Sequence, residues 1–64
     1  MPNDHQFGLF VQHENGSLWK GFFTDLEEAK RQAQELANRD ALEYYVLNFR
    51  DFTEVARAFP RNSR

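Results

Sequence analysis

The sequence has no cysteine, only three glycines and two prolines, and no long apolar run. Without cysteine the chain has no disulfide, no thiolate metal ligand and no cysteine nucleophile. No stretch approaches the roughly 18 apolar residues of a membrane span, and the polar first residues lack the pattern of a signal peptide. We therefore expect a cytoplasmic protein with no membrane partner.

An excess of basic charge is also missing. The formal net charge is -2, with five basic against ten acidic side chains up to residue 56 and three arginines after it. Domains that bind nucleic acid usually carry a basic patch or stripe, because the phosphate backbone dominates their affinity. An acidic body repels phosphate, so the composition disfavours nucleic acid as a partner.

Aromatic residues, by contrast, are abundant: the 64 residues include seven Phe, two Tyr and one Trp. Each ring can bury roughly 150 to 250 Å², so this composition indicates a folded chain. A chain of this length buries only about 60% of the surface of its unfolded form, and it lacks the disulfides that stabilise many small domains. We predict one domain over residues 1–64, with 1–5 and 60–64 disordered, and self-association as the remaining means of stabilisation.

Two strands joined by a tight turn begin the predicted fold. Alternating apolar residues predict strands over residues 6–13 and 17–23. Between them, Asn15 and Gly16 predict a type I′ turn, because both residue types accept a positive φ. This turn divides the apolar residues between two faces of the hairpin, with Phe7, Leu9, Val11, Leu18 and Phe22 on one face and Phe10, Trp19 and Phe23 on the other.

A helix and a third strand follow the hairpin. Residues 24–27 form a capping box, and an apolar stripe at helical spacing continues to a stop at residues 38–40. β-Branched and aromatic residues over 41–49 predict a strand that is apolar on both faces, which leaves open the face that meets the helix. The apolar spacing over residues 51–59, ended by Pro60, predicts a short second helix.

The predicted fold class is therefore α+β: a β-hairpin, a helix and a third strand (ββαβ) form a three-stranded antiparallel sheet in the order 2-1-3, with a short C-terminal helix. The long helix covers only one face of this sheet. Two alternatives remain open for the other face. The C-terminal helix packs over its own sheet through Phe52, Val55 and Phe59, or the face meets a second copy, through the C-terminal helix or through the aromatic faces of both copies.

Residues that could carry catalysis or bind a metal are sparse. His5 and His13 have acidic neighbours, but the chain has none of the ligand spacings typical of metal sites. Glu27, Glu28 and Glu35 lie at helical spacing on the solvated side, within pairing distance of basic residues. Neither a nucleophile with its base nor a glycine-rich phosphate loop is present. We expect no metal, no cofactor and no enzymatic activity.

The aromatic residues instead favour a protein-protein interaction or regulatory module that forms a homodimer or binds another protein, since aromatic side chains are enriched at interface anchors. The predicted contact residues are Phe10, Trp19, Phe23, Tyr45, Phe52, Val55 and Phe59. The alternative is a platform for single-stranded nucleic acid, in which these rings stack on bases. Its phosphate partners would be Arg50, Arg57, Arg61 and Arg64.

Overall fold

One antiparallel sheet and one helix make up the part of the chain that the structure describes. The structure is a computed structural model, and it describes residues 6–61. The elements, in chain order, are β1 (Phe7–His13), β2 (Gly16–Phe23), α1 (Leu26–Asp40), β3 (Glu43–Asn48) and β4 (Thr53–Ala58). The four strands form a single sheet in the order β2-β1-β3-β4. The predicted disorder of residues 1–5 and 62–64 lies outside the described residues.

The sheet has a fourth strand where the sequence predicts a C-terminal helix, so the prediction of three strands in the order 2-1-3 is wrong. β4 pairs antiparallel with β3. An isolated helix of about nine residues is marginal in water, whereas the strand obtains its backbone hydrogen bonds from β3. Ala56 and Ala58 face α1 while Arg57 faces the other way, an alternation that the helical spacing of the larger apolar residues conceals.

Polar side chains stabilise the turn before β4, where a cap for the predicted C-terminal helix would lie. The Phe52 amide donates to the Asn48 carbonyl at 2.6 Å. The Asp51 carboxylate accepts from the Thr53 amide at 3.4 Å and from its hydroxyl at 2.8 Å. An aspartate that bonds a backbone amide two residues ahead serves a turn as well as a helix cap. This local signal therefore could not decide between the two.

The hairpin turn and the faces of the last residues of β2 also differ from the predicted ones. His13 pairs with Gly16, and Asn15 is not among the described non-glycine residues that have positive φ, so the predicted type I′ turn is wrong. A bulge at Lys20 shifts the register further along β2. Because side chains alternate between faces, the shift of one residue exchanges the faces of everything beyond it. Phe22 therefore lies on the face predicted for Phe23, and Phe23 lies on the face predicted for Phe22.

The helix α1 begins and ends through local hydrogen bonds. Asp25, rather than the predicted Thr24, caps its first turn and accepts from the Glu27 amide at 3.2 Å. Ala41 ends it in the left-handed conformation, with φ 58°, and donates to the Ala37 carbonyl at 2.8 Å. In the described part of the chain no helix has the length and apolar character needed to cross a bilayer.

The core lies between α1 and one face of the sheet. Its helix side consists of alanines, which let the helix approach the strands closely. On β3 the side chains of Tyr44 and Val46 face the helix, which decides the question that the sequence left open. The buried residues of this core are Leu9, Val11, Ala29, Ala33, Ala37, Tyr44, Val46 and Ala58.

Tyr44 connects the sheet to the end of the helix. Its side chain is buried and its hydroxyl donates to Asp40 Oδ2 at 2.5 Å. Burial, followed by this hydrogen bond, raises the pKa of Tyr44 to about 12. Hydrogen bonds from Tyr44 and Arg39 lower the pKa of Asp40. The protonated phenol and the ionised carboxylate therefore both stabilise the folded chain.

We expect the free energy of unfolding to fall as the pH rises from about 10 through 12, because the unfolded chain loses the Tyr44 proton at lower pH than the folded chain. Tyr44→Phe should remove this part of the decline. At pH 8 it should also lower the free energy of unfolding by about 1 kcal/mol, because the variant lacks the hydrogen bond to Asp40. Urea unfolding at several pH values measures both effects. Tyr45→Phe is the control, and an equal loss of the alkaline decline in that variant would contradict the assignment to Tyr44.

Candidate functional site: the aromatic face

The sheet face opposite α1 carries a cluster of aromatic rings. This surface is named the aromatic face. The core side chains and the helix lie on the other face of the sheet, and no element within residues 6–61 lies over this one. The aromatic face consists of Phe10, Trp19, Phe22, Tyr45, Phe49 and Phe52.

The rings of the aromatic face form one continuous surface. Phe10 and Tyr45 stack, with centroids 5.4 Å apart and ring planes at 13°. Phe49 meets Phe10 at 6.4 Å and Phe22 at 5.7 Å, both in edge-to-face geometry. The Trp19 and Phe22 centroids are 5.0 Å apart. These separations fall in the range in which aromatic pairs attract each other, so the rings hold one another in place.

Gly8 provides the space in which the central ring sits. A Cβ atom at Gly8 would lie 2.3 Å from Cζ of Phe49, which is closer than any real contact. Phe49, which follows β3, covers Gly8, whereas at Gly21 no atom of the described residues lies within 4 Å of the position of a Cβ.

Three rings of the aromatic face remain strongly exposed: the exposed fractions are 53% for Trp19, 49% for Phe22 and 71% for Phe52. Since a buried aromatic side chain removes roughly 150 to 250 Å² from water, these three rings leave on the order of 300 Å² of apolar surface exposed. Contiguous patches of this size on a soluble protein are often functional.

A charged cluster borders the aromatic face on the β4 side. The Arg57 guanidinium lies 5.0 Å from the centre of the Tyr45 ring. It donates to both carboxylate oxygens of Glu54 at 2.9 Å and to Glu43 at 3.0 Å. The hydrogen bonds to Glu54 raise the pKa of Arg57, and the same bonds lower the pKa of Glu54. The cation is therefore fixed beside the rings by two carboxylates.

The structure brings together four of the seven residues that the sequence proposed for a contact surface. Phe10, Trp19, Tyr45 and Phe52 all lie on the aromatic face. The other three lie elsewhere. Phe23 packs against the core beneath α1, Val55 lies at a bulge in β4, and Phe59 follows β4 with its carbonyl accepting from Gln34 Nε2 at 2.8 Å.

Two rings of the aromatic face are missing from the predicted contact residues. Phe49 shares the alternation of Tyr45, and this alternation was the signal that could have placed it on the same face. Phe22 had no comparable signal, because its face depends on the bulge at Lys20. A bulge of this kind adds one residue to one strand and has no fixed sequence pattern.

A separate groove lies between α1 and β4, on the side of the sheet away from the aromatic face. Its volume is about 620 Å³ and its floor includes Ala33, Ala56 and Ala58. Charged side chains border it in pairs, with Arg31 bound to Glu28. Residues 6–61 contain no group of three or more His, Asp or Glu side chains placed to hold a metal ion. Of the two histidines, His13 ends β1 beside the hairpin turn, and His5 lies outside the described residues.

Comparison of the chain with protein-family models, with curated proteins and with solved structures found no match.

Proposed function

We propose that the protein is a non-enzymatic protein-interaction or regulatory module that forms a homodimer by burying its aromatic face. The observation that supports this proposal is the continuous ring surface opposite α1, which no element within residues 6–61 covers. Two copies of such a surface, together with the half-buried parts of Phe10, Tyr45 and Phe49, approach the roughly 1,000 Å² that a specific protein contact requires. Isologous contacts of this kind are the commonest form of self-association.

The backbone of Phe52 supports a role in contact. Phe52 has φ 57°, a left-handed conformation that a bulky residue adopts only at a cost of about 1 kcal/mol or more. Glycine or asparagine would fit this turn better. The ring touches Phe49, with centroids 6.0 Å apart, and is otherwise the most exposed large apolar side chain of the described residues. A contact that buries the Phe52 ring would offset this strain.

The edges of the sheet favour a contact through its face. The bulge at Lys20 interrupts β2, and a second bulge at Val55 interrupts β4. These are the two edge strands of the sheet. Bulges and charged residues on edge strands hinder pairing with the edge of another sheet. Association through the aromatic face requires neither edge.

The charged cluster favours a protein over a nucleic acid. A phosphate would have to compete with Glu43 and Glu54 for the guanidinium of Arg57, and this cluster has a net charge of -1. Base stacking on Phe10 and Tyr45 would therefore occur beside repelling carboxylates. Binding of single-stranded nucleic acid is the competing hypothesis.

Sedimentation equilibrium from low to high micromolar concentration tests the proposal, and we expect a dimer. Phe52→Asn should weaken the dimer while raising the stability of the monomer by about 0.5 to 1 kcal/mol, because asparagine tolerates positive φ. These opposite signs separate a contact residue from a structural one. Denaturation of the native protein and of Phe52→Asn, at a concentration where both are monomeric, measures the change in monomer stability.

A monomer at high micromolar concentration whose Trp19 fluorescence changes with an oligonucleotide at low salt would replace the proposal with nucleic-acid binding. A monomer that responds to neither condition would reject homodimer formation outright. If Phe52→Asn destabilised the monomer, the argument from backbone strain would be wrong.

A further inference from the structure

The aromatic face contains a row that crosses all four strands. Trp19 pairs with Phe10, Phe10 pairs with Tyr45, and Tyr45 pairs with Arg57. Each strand thus contributes one side chain to the row, in the spatial order of the sheet. The row is apolar at its β2 end and charged at its β4 end.

Two symmetric arrangements exist for copies that stack through this face with aligned strands. If the two-fold axis runs across the strands, each strand lies over the same strand of the partner, and Arg57 approaches its own counterpart. If the axis runs along the strands between β1 and β3, then β4 lies over the partner's β2. Two sheets that pack face to face commonly keep their strands within about 30° of each other, which either arrangement allows.

The charged cluster distinguishes these arrangements. Arg57, Glu43 and Glu54 together carry a net charge of -1. An axis across the strands brings two such clusters together, and like charges at an interface oppose association. An axis along the strands instead brings the cluster onto an uncharged ring, and Arg57 already lies over one ring in the same way, that of Tyr45.

We propose that the two-fold axis of the dimer runs along the strands, so that Arg57 of each copy lies on the partner subunit's Trp19 and Phe10 lies on the partner subunit's Tyr45. This inference rests on the proposed homodimer and adds its geometry. Arg57 thereby becomes a residue that determines orientation, because the cation-π contact with tryptophan forms in only one of the two arrangements.

Isotope-filtered nuclear Overhauser spectroscopy on an equal mixture of labelled and unlabelled native protein tests the geometry. Trp19 and Arg57 are three strand spacings apart within one copy, or roughly 14 Å, which is too far for a direct signal. We expect filtered cross-peaks between the Trp19 ring and the Arg57 side chain. Cross-peaks between Trp19 and Trp19, or between Arg57 and Arg57, would overturn the arrangement while leaving the homodimer intact.

Arg57→Gln provides the energetic test. Two cation-π contacts per dimer, each of modest strength, predict a dissociation constant about tenfold higher. Arg31→Gln is the matched control, since Arg31 pairs with Glu28 on the helix, away from the aromatic face, and it should leave the constant unchanged. An unchanged constant for Arg57→Gln would contradict the contact. A native protein that stays monomeric would reject the proposed function together with this inference.

Discussion

Trp19→Glu is expected to raise the dissociation constant of the dimer about a thousandfold. Each copy would lose a large interface ring and gain a carboxylate that the contact desolvates. Removal of an aromatic anchor typically costs 2 kcal/mol or more, and a two-fold interface contains the change twice. The ring is 53% exposed in the single chain, so the fold itself should tolerate the change. Sedimentation at matched concentrations gives the constant, and far-ultraviolet circular dichroism verifies the fold.

Leu18→Glu is the control for this experiment. Leu18 precedes Trp19 in β2 and is 56% exposed, a similar fraction, but it pairs with Val11 and therefore belongs to the helix side of the sheet. The same charge introduced there should leave the dimer unaffected. If both variants dissociated equally, the effect would come from net charge or from β2 as a whole, and the aromatic face would lose its assigned role.

The second large effect is expected at Gly8. A methyl group at Gly8 would overlap the Phe49 ring. To accommodate it, the ring must leave its place among the other rings of the aromatic face. Forcing an extra carbon into a packed site costs about 1 to 3 kcal/mol, which lowers the melting temperature of a domain of this size by roughly 4 to 8 °C per kcal/mol. Thermal unfolding of Gly8→Ala at fixed protein concentration measures the loss.

Gly21→Ala is the matched change in the neighbouring strand. No atom of residues 6–61 lies within 4 Å of the position of a Cβ atom at Gly21, and the backbone there has ordinary φ. The added methyl group should be neutral or stabilise by up to about 1 kcal/mol, because it restricts the unfolded chain. The overlap explanation also predicts that Gly8→Ala costs less when Phe49 is replaced by leucine. Equal costs in the two backgrounds would show that the ring is not the cause.

The sequence predicts only part of the aromatic face, because a bulge in β2 changes the face of its last residues. Four of its rings lie where simple alternation along the strands places them. Phe22 and Phe23 exchange roles because of one extra residue at Lys20. That bulge lies in an edge strand. Whether a residue there is left unpaired depends on the local twist of the sheet. Nothing in the identity of Lys20 or its neighbours indicates the position.

The C-terminal segment is a second case of this kind. Residues 52–59 contain apolar side chains at helical spacing and, in the same stretch, small residues that alternate at strand spacing. The free edge of β3 selects the second pattern, because pairing satisfies a row of backbone groups that a short helix would leave unsupported. The segment therefore forms a strand because of β3, its pairing partner, which lies outside the segment.

The amino-acid sequence alone determined the hairpin, the long helix with its alanine stripe, the third strand and the surplus of aromatic surface, since each follows from composition and local periodicity. Only the tertiary structure decided the register of β2, the identity of β4 and the membership of the aromatic face. These features depend on which backbone groups meet across the sheet, and a displacement of one residue there moves a ring from the core to the surface.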